Sequence, residues 1–434
     1  MSNAQLTFAL VTLCTVACVQ AGEPSKDQTF QKIRLSEFFW TEGAGAGDFN
    51  RDGHPDVTAG PYWWQGPDFQ KRHTFRDDSK TSTIKLKDGS ERSVPGFKGA
   101  LGTQNDYSDN FLTFVRDMNG DGWDDIINVG WPGKAVHWYA NPGAKDPAAS
   151  ESHWPKHLAI EVLDNESPVF ADLLGNGSPV MVGNFDGHYG YFQPDASKPE
   201  SPWSWHPITP KGKWHKYTHG CGVGDVNKDG RPDLIESAGW WEQPASLAGD
   251  PVWKLHAFPF APGEKTAGGA QMYAYDFNGD GRNDVLTTLD PHRYGLVWYE
   301  QTDDSGTGFT RHMILNDNPQ ANRHGVAFSQ MHAIEMADMN GDGLLDVVTG
   351  KRYWAHGPGG DVDPEGDSVV YWFRATRGTD GAVDFVPHRV DSDSGVGTQF
   401  SVADLNRDGK PDIVTANKRG IFVFIHGAES AAGK

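Results

Sequence analysis

The amino-acid sequence predicts an all-β protein, a seven-bladed β-propeller of four-stranded blades in one domain. Three observations predict this fold. An acidic motif recurs along most of the chain at spacings between 51 and 69 residues. An aromatic strand pattern follows each copy, and a histidine-bearing strand pattern follows in most units. A fixed succession of motifs at such a period is typical of a repeat architecture.

The acidic motif is D-x-N-x-D-G-x-x-D. It occurs as DFNRDGHPD (48 to 56), DMNGDGWDD (117 to 125), DVNKDGRPD (225 to 233), DFNGDGRND (276 to 284), DMNGDGLLD (338 to 346) and DLNRDGKPD (404 to 412). A seventh stretch, DLLGNGSPV (172 to 180), keeps the shape but has Leu174 and Val180 where oxygen ligands belong. A β-branched run follows most of the copies, so each loop joins two strands. Glu236 completes an EF-hand pattern in one copy alone, and we interpret that match as coincidence.

The two other patterns supply the remaining strands of each unit. The aromatic strands include YWWQGP (62 to 67), GWWEQP (239 to 244) and YWFRA (371 to 375), and the outer strands carry His73, His157, His206, His256, His312 and His388. Because these features recur, we interpret them as blade core and not as a site. The last unit lacks an outer strand, which FQKIRLS (30 to 36) can supply. Such closure removes free sheet edges.

The six loops resemble the FG-GAP/VCBS calcium-loop repeats of secreted propellers and integrin-type heads. This resemblance covers nearly the whole chain after residue 21 and implies the fold and calcium, but not a reaction. The blade pattern also weakly resembles the propeller part of aldos-2-ulose dehydratase, which implies metal-assisted dehydration of a keto-sugar. No cupin domain follows here.

Carboxylate, amide and main-chain oxygens at these positions are the hard ligands that Ca²⁺ prefers. Solvated acidic turns without metal are the alternative. Six bound ions would change the formal charge from −20 to −20 + 12 = −8, so the acidity does not indicate a basic partner. The predicted side-chain ligands are Asp48, Asn50, Asp52, Asp56, Asp117, Asn119, Asp121, Asp125, Asp225, Asn227, Asp229, Asp233, Asp276, Asn278, Asp280, Asp284, Asp338, Asn340, Asp342, Asp346, Asp404, Asn406, Asp408 and Asp412.

The N-terminal 21 residues carry no charged side chain and are apolar from Leu6 to Val19, which predicts a secretory signal peptide. The protein is therefore expected to be secreted or periplasmic, with a lipid-anchored form as the alternative. Cys14 and Cys18 would leave with this segment, and Cys221 alone would remain, so no internal disulfide is expected. Calcium would then take the place of disulfides in fastening the fold.

Residues outside the repeat are the candidates for function. The position six residues before each loop should face the central channel, and three of these residues are Glu166, His219 and His332. Imidazole and carboxylate groups suit Zn²⁺ or another transition metal, and three protein ligands leave a place for substrate. We predict these three as catalytic residues. The alternative is that they are polar channel residues bonded to water.

Long loops between the second and third strands should reach the same face, and basic residues cluster on them. We predict that they bind an anionic or polyhydroxylated ligand through charge-assisted hydrogen bonds, although scattered surface cations are the alternative. The insert 77 to 109 should cap the same rim. The predicted ligand-binding residues are His292, Arg293, His324, Lys351, Arg352, Tyr353 and Lys418.

Two functions remain open from the sequence. The first is a carbon–oxygen lyase, a sugar dehydratase or polysaccharide lyase, because β-elimination needs a base and a cation that stabilises the enolate. The second is a calcium-stabilised module that binds glycan or protein without chemistry. The acidic composition and the lack of a basic stripe argue against nucleic acid. No membrane span follows the N-terminal segment, and we expect a monomer.

Overall fold

The computed structural model describes residues 29–143, 153–262 and 268–427. The predicted signal peptide, with Cys14 and Cys18, lies outside them. The described residues form an all-β structure whose strands are nearly all antiparallel to their neighbours. None of the described residues belongs to a helix that is long and apolar enough to cross a membrane.

The strands are short, as expected where turn signals recur this often. Beside them, one 3₁₀ helix spans Pro319–Ala321. The strands are β1 (Phe30–Ser36), β2 (Ala44–Gly47), β3 (Asp56–Ala59), β4 (Tyr62–Trp64), β5 (Arg72–Thr74), β6 (Thr81–Lys85), β7 (Glu91–Pro95), β8 (Leu112–Arg116), β9 (Asp125–Val129), β10 (Lys134–Tyr139), β11 (Lys156–Ala171), β12 (Val180–Phe185), β13 (His188–Gln193), β14 (Ser204–Pro207), β15 (Cys221–Gly224), β16 (Asp233–Glu236), β17 (Gly239–Glu242), β18 (Lys254–Ala257), β19 (Gln271–Tyr275), β20 (Asp284–Thr288), β21 (Leu296–Gln301), β22 (Phe309–Leu315), β23 (Ile334–Ala337), β24 (Asp346–Gly350), β25 (Val370–Arg377), β26 (Val383–Asp391), β27 (Ser401–Ala403), β28 (Asp412–Asn417) and β29 (Gly420–His426).

Consecutive strands form four-stranded groups. β2 to β5 and β23 to β26 each make one sheet, in chain order. The long strand β11 is shared between the group β8 to β11 and the group β11 to β14. The groups β15 to β18 and β19 to β22 are joined into one larger sheet by a parallel pairing of β15 with β19. In every group, an acidic loop or its degenerate copy connects the first strand to the second.

The last group is completed from the other end of the chain. β1 pairs antiparallel with β29, placing Phe30 opposite His426, and the sheet order is β1-β29-β28-β27. The core between this group and the first one is continuous, because Val57 and Trp64 pack in one cluster with Val414 and Val423. The first and last parts of the described chain therefore pack directly together.

The aromatic and histidine patterns meet as stacked pairs. The Trp240 and His256 rings lie 4.0 Å apart at an interplanar angle of 4°, and the Trp63 and His73 rings lie 3.9 Å apart at 9°. A stacked pair of an aromatic ring and a histidine recurs in the other groups. In the last group the histidine, His426, lies on the third strand, β29, and its aromatic partner Phe30 lies on the outer strand, β1. These tryptophans are buried, so the interpretation of the repeated aromatics and outer-strand histidines as structural agrees with their packing.

Close packing of β15 against β19 gives a test of this arrangement. A Cβ atom at Gly222 would lie 2.0 Å from the Met272 carbonyl oxygen. We therefore expect Gly222→Ala to lower the free energy of unfolding by about 1–3 kcal/mol through overpacking. Gly359→Ala is the control, since a Cβ atom there meets nothing within 4 Å. Denaturant unfolding with calcium present measures both; equal midpoints would contradict the close approach of the two strands.

Candidate functional site

The positions six residues before the acidic loops do lie beside one another, away from those loops. Three of these positions are Glu42, Phe111 and Thr398. The Thr398 hydroxyl donates to the Phe111 carbonyl at 2.5 Å, and the Thr398 amide donates to the Glu42 carbonyl at 2.9 Å. Glu166 and His219 are also neighbours, with 3.2 Å between Oε2 and Nε2. Antiparallel strands bring these positions together because each loop holds the opposite end of its strand pair.

Three histidines form the centre of the site. His219, His292 and His332 each offer a ring nitrogen, and these three atoms lie within 4.8 Å of one another. The His292 ring centroid is 4.6 Å from that of His332 and 5.1 Å from that of His219. The sequence had placed Glu166 with His219 and His332 and had given His292 to substrate binding. In the structure His292, from the loop between β20 and β21, is the third member of the group.

Burial favours the neutral imidazole at His332 and at His292. His332 is almost wholly buried, and burial together with the nearby Arg352 guanidinium holds the pKa of His332 well below its usual value. Burial also lowers the pKa of His292. His332 Nδ1 lies 3.3 Å from the Gln330 carbonyl, which assigns the proton to Nδ1. The buried Nε2 of His332 has no hydrogen-bond partner among the described residues. A neutral imidazole with a free nitrogen is a metal ligand.

Glu166 is an ionised carboxylate beside the three histidines. Burial by itself would raise the pKa of Glu166, but His219 and Arg352 outweigh it and lower that pKa to about 2. Arg352 is buried as well; its Nη1 lies 3.8 Å from Glu166 Oε2, and its Nη2 lies 2.5 Å from Glu42 Oε1. Arg352 therefore links two buried carboxylates and holds Glu166 in place.

The loop between β24 and β25 brings two further groups to the histidines. Asp361 Oδ1 lies 2.9 Å from His356 Nδ1 and 3.4 Å from His292 Nδ1. Asp361 therefore contacts both rings, and these contacts with His356 and His292 lower its pKa against the opposing effect of burial. A carboxylate that holds one nitrogen of an imidazole fixes its tautomer and orientation.

This loop is held down by two buried lysines. Lys418 Nζ donates to the Trp354 carbonyl at 2.6 Å, and Lys351 Nζ donates to the Asp363 carbonyl and to Ser329 Oγ at 3.2 Å. Burial lowers the pKa of Lys418 to about 7. Both ammonium groups therefore donate hydrogen bonds within the protein. These bonds fix the position of the loop that carries His356 and Asp361.

A cavity of about 990 Å³ opens over the histidines. Its wall includes a group of aromatic side chains. The ring centroid of Trp131 lies 4.3 Å from that of Tyr107 and 6.2 Å from that of Tyr217. Its charged lining includes Arg293 and Lys213. A cavity of this size with aromatic walls and a few polar groups is typical of a small-molecule or saccharide site.

The acidic loops lie at the other ends of the strands. In the first loop, Asp48 Oδ2 accepts from the Gly53 amide at 3.0 Å, and Asn50 Oδ1 accepts from the Asp52 amide at 2.9 Å. Asp56 is fully buried and accepts from the Phe49 and Gly66 amides at 2.9 and 2.8 Å. The last aspartate of each of the six loops makes the same pair of bonds, one to the loop and one to the end of the third strand, through Asp56, Asp125, Asp233, Asp284, Asp346 and Asp412.

The degenerate loop, 172 to 180, keeps the turn although it lacks some of these side-chain oxygen atoms. Asp172 still accepts from the Asn176 and Gly177 amides, at 3.0 and 2.8 Å. Val180 stands where the other loops have their last aspartate, so this clamp to the third strand is missing. The turn therefore forms without the third-position and ninth-position oxygens, while Asn176 Oδ1 accepts from the Ser178 amide at 2.9 Å as Asp52 accepts from the His54 amide in the first loop.

Two family profiles match the chain where these loops occur. An FG-GAP-like repeat matches residues 276–349, and an FG-GAP repeat matches residues 396–431. The chain therefore contains FG-GAP repeats in these two segments. The other three complete loops have the same motif and the same last-aspartate clamp, although neither profile extends to them.

Solved structures resemble this chain at low sequence identity. An ancestral GH74 enzyme is 10% identical with a TM-score of 0.51, over 91% of this chain and 45% of its own. A lectin from Agrocybe aegerita that recognises non-reducing terminal N-acetylglucosamine is 17% identical over 92% of this chain and 86% of its own, with a TM-score of 0.44. Rhamnogalacturonan lyase YesW is 12% identical over 95% and 76%, with a TM-score of 0.37. No curated protein sequence matches the chain.

Some of the site residues predicted from the sequence meet in the cavity, and others do not. Glu166, His219, His292, Arg293 and Arg352 line it, and His332 lies against the other two histidines.

The other predicted ligand-binding residues lie elsewhere. The Tyr353 ring stacks on the Trp354 ring, with 4.9 Å between their centroids. Tyr353, Lys351 and Lys418 all lie behind the cavity wall. His324 is on the outer side of the fold, where its Nε2 lies 3.1 Å from Asp384 of β26. The insert 77 to 109 contributes Tyr107 to the cavity.

The sequence analysis missed His356 and Asp361 as members of the site. They lie in the longest loop on this face, between β24 and β25, whose basic residues are its more conspicuous feature in the sequence. A histidine and an aspartate five residues apart in such a loop were the available signal. Glu236 also lines the cavity, at the end of β16 opposite its acidic loop, and accepts from the Ala238 amide at 3.0 Å. It therefore takes no part in an EF-hand.

The buried Arg352 provides a test of the site's electrostatics. Arg352→Gln leaves Glu42 and Glu166 without their shared cation, so we expect the free energy of unfolding to fall by about 3–5 kcal/mol. Arg323→Gln removes a surface ion pair with Asp384, in which Arg323 is 74% exposed, and should cost less than about 1 kcal/mol. Denaturant unfolding compares the two variants. Similar losses would contradict the central role assigned to Arg352.

Proposed function

We propose that the chain is a secreted, calcium-stabilised, seven-bladed β-propeller that acts as a metal-assisted carbon–oxygen lyase on an acidic sugar in the central cavity. The observation that carries this proposal is the group of His219, His292 and His332 at the cavity. None of the three belongs to the repeat, and one ring nitrogen from each lies within 4.8 Å of the other two, which is close enough for the group to hold one metal ion.

The strand pairing and the core support the closed, seven-bladed architecture. β1 supplies the fourth strand of the group that begins with β27. Buried clusters join each group to the next, and one cluster joins the last group to the first through Trp64 and Val423. Closure by a strand from the opposite chain end leaves no sheet edge free at the junction.

The six complete loops support calcium as the fastener. Each offers two carboxylates and an amide oxygen around a tight turn, and these are the oxygen ligands that Ca²⁺ takes. The buried last aspartate would add a third carboxylate while it holds the third strand. Ion binding at the loop would thereby stabilise the contact between loop and strand in each blade.

The three histidines would hold a transition metal such as Zn²⁺. Their chemistry fits, because His332 and His292 favour the neutral form and His332 Nε2 is buried without a hydrogen-bond partner among the described residues. Asp361 Oδ1, 3.4 Å from His292 Nδ1, supplies the carboxylate that commonly orients a metal-binding imidazole. When bound, the ion would stabilise the negative charge that develops on a substrate carboxylate during elimination.

His356 is the base that this geometry favours. Its Nδ1 is held by Asp361 at 2.9 Å, so its Nε2 lone pair is left to accept a proton. It lines the cavity and is partly exposed, as a residue that meets substrate must be. Glu166, which the sequence placed in this catalytic group, has a pKa of about 2 and is too weak a base; its negative charge suits a cation at the histidines.

The elimination follows from these positions. His356 takes the proton from the carbon next to the carboxylate, the electron pair forms a carbon–carbon double bond, and the bond to the leaving oxygen breaks. Burial raises the pKa of Glu236 and favours its protonated form, which can give a proton to that oxygen. Arg293 and Lys213 supply positive charge for the acidic groups of the sugar. No oxidant or reductant is needed.

Calcium stabilisation should depend on pH. Burial, with the neighbouring loop carboxylates, raises the pKa of Asp56 and of four equivalent aspartates to about 7 in the calcium-free fold. The calcium-free folded state therefore binds protons that the unfolded state has already lost between about pH 4 and pH 7, so its stability falls as pH rises through this range. Calcium needs the ionised form. We expect the rise in unfolding temperature on adding calcium to be larger at pH 8 than at pH 5. A pH-independent rise would contradict this role.

Metal content and turnover test the catalytic centre. We expect purified protein to contain calcium and about one transition-metal ion per chain, and His332→Ala to lose the latter alone. His356→Gln should keep the metal but lower turnover by about 100-fold or more. Turnover is followed by the ultraviolet absorbance of the unsaturated product from galacturonate and glucuronate oligomers. His324→Gln, outside the cavity, is the matched control.

A different result would favour the binding function. If only calcium is found, and no acidic oligosaccharide is cleaved although some are bound, the lyase proposal fails and the chain is a calcium-stabilised glycan-binding module. If His356→Gln retains full turnover, the elimination proceeds from another base, and the assignment of His356 is wrong.

A further inference from the structure

A second cavity lies next to the central one. It has a volume of about 790 Å³ and opens between the first group of strands and the second. Its wall comes from the loop after β5, from β10 and from the start of β11, together with Trp40 and Trp154. None of the histidines of the central site lines it.

The second cavity is positively charged, in contrast to the acidic chain as a whole. Four lysine and arginine side chains and two histidines line it, against two aspartates. One of the aspartates, Asp109, is already paired with Arg76 at 3.0 Å. Lys134 and Lys156 are exposed and form no ion pair with any described residue. Lys156 also lowers the pKa of His137 through its charge, in addition to the effect of burial.

Trp131 is shared by the two cavities, since it is a lining residue of both. It is held from the central side by Tyr107, Phe111 and Tyr217. Lys134 follows it closely at the start of β10 and lies on the second-cavity side. A flat aromatic residue shared by two cavities, with cations in both, can support one ligand that extends across it.

We propose that the second cavity is a subsite for the acidic units of an oligosaccharide whose other end occupies the central cavity. The inference rests on the proposed function and extends it from an acidic sugar to an acidic chain that passes over Trp131. Lys134 and Lys156 bind carboxylate or sulfate groups of the chain, and the Trp131 ring contacts a sugar face.

The chemistry favours a saccharide over other anions. Charge-assisted hydrogen bonds from lysine hold a carboxylate or sulfate, and the apolar face of a sugar packs on an aromatic ring. The cations lie in a cavity and not along an open stripe, which suits a short, bulky chain more than a nucleic-acid backbone. Lys80, which lies 5.0 Å from the Phe97 ring, completes the cationic side.

The test compares the double variant Lys134→Gln, Lys156→Gln with Lys198→Gln, an exposed lysine that lines neither cavity. Calorimetry measures binding of galacturonate and glucuronate disaccharides and of their longer oligomers. We expect the double variant to bind the longer oligomers about tenfold to 100-fold more weakly and the disaccharides unchanged. Lys198→Gln should match the wild type, and added salt should reduce the difference.

Three outcomes would overturn the inference: no binding of any acidic oligomer, equal loss for short and long oligomers, or equal affinity for a single-stranded oligonucleotide of similar charge. The His332→Ala variant separates this inference from the lyase proposal. If that variant still binds long oligomers and the lysine variant does not, the second cavity stands whatever the central site does.

Discussion

The buried aspartate that ends each complete loop is the interaction on which the rest of the structure depends. Asp233, for example, accepts from the Val226 amide within its loop and from the Gln243 amide at the end of β17. One carboxylate thus fixes the loop, the start of the second strand and the end of the third. Because this happens in six groups, the opposite ends of the first strands are brought together, and the site forms there.

The site contains buried cations and buried carboxylates that stabilise one another. Arg352 and Lys418 would each be costly in the interior alone, as would Glu42 and Glu166. Together, Arg352 links the two carboxylates and Lys418 lies 4.0 Å from Glu42, while the lysine also holds the loop that carries His356. The same network therefore keeps Glu166 ionised beside the histidines and fixes the loop that completes the site.

Much of the site was predictable. Once the residues that recur in every group are set aside, few polar residues remain at the strand ends opposite the acidic loops. His219 and His332 followed from their position relative to the loops. His292 was assigned to the correct face but not to the group of His219 and His332, since the path of its loop sets how far the ring reaches. Lys351 and Lys418 were read as ligand groups because a sequence does not tell an exposed lysine from a buried one that donates to carbonyl oxygens.

The sequence alone determined the all-β class, the order of strands within each unit, the structural character of the stacked Trp240 and His256, and the completing role of residues 30 to 36. These depend on local pattern and on repetition, which are written in the order of residues. Only the tertiary structure decided that Asp361 contacts both His292 and His356, that Trp131 lines two cavities, and that Glu236 faces the site. Such contacts join loops from different groups, and their geometry is set by how the groups pack against one another.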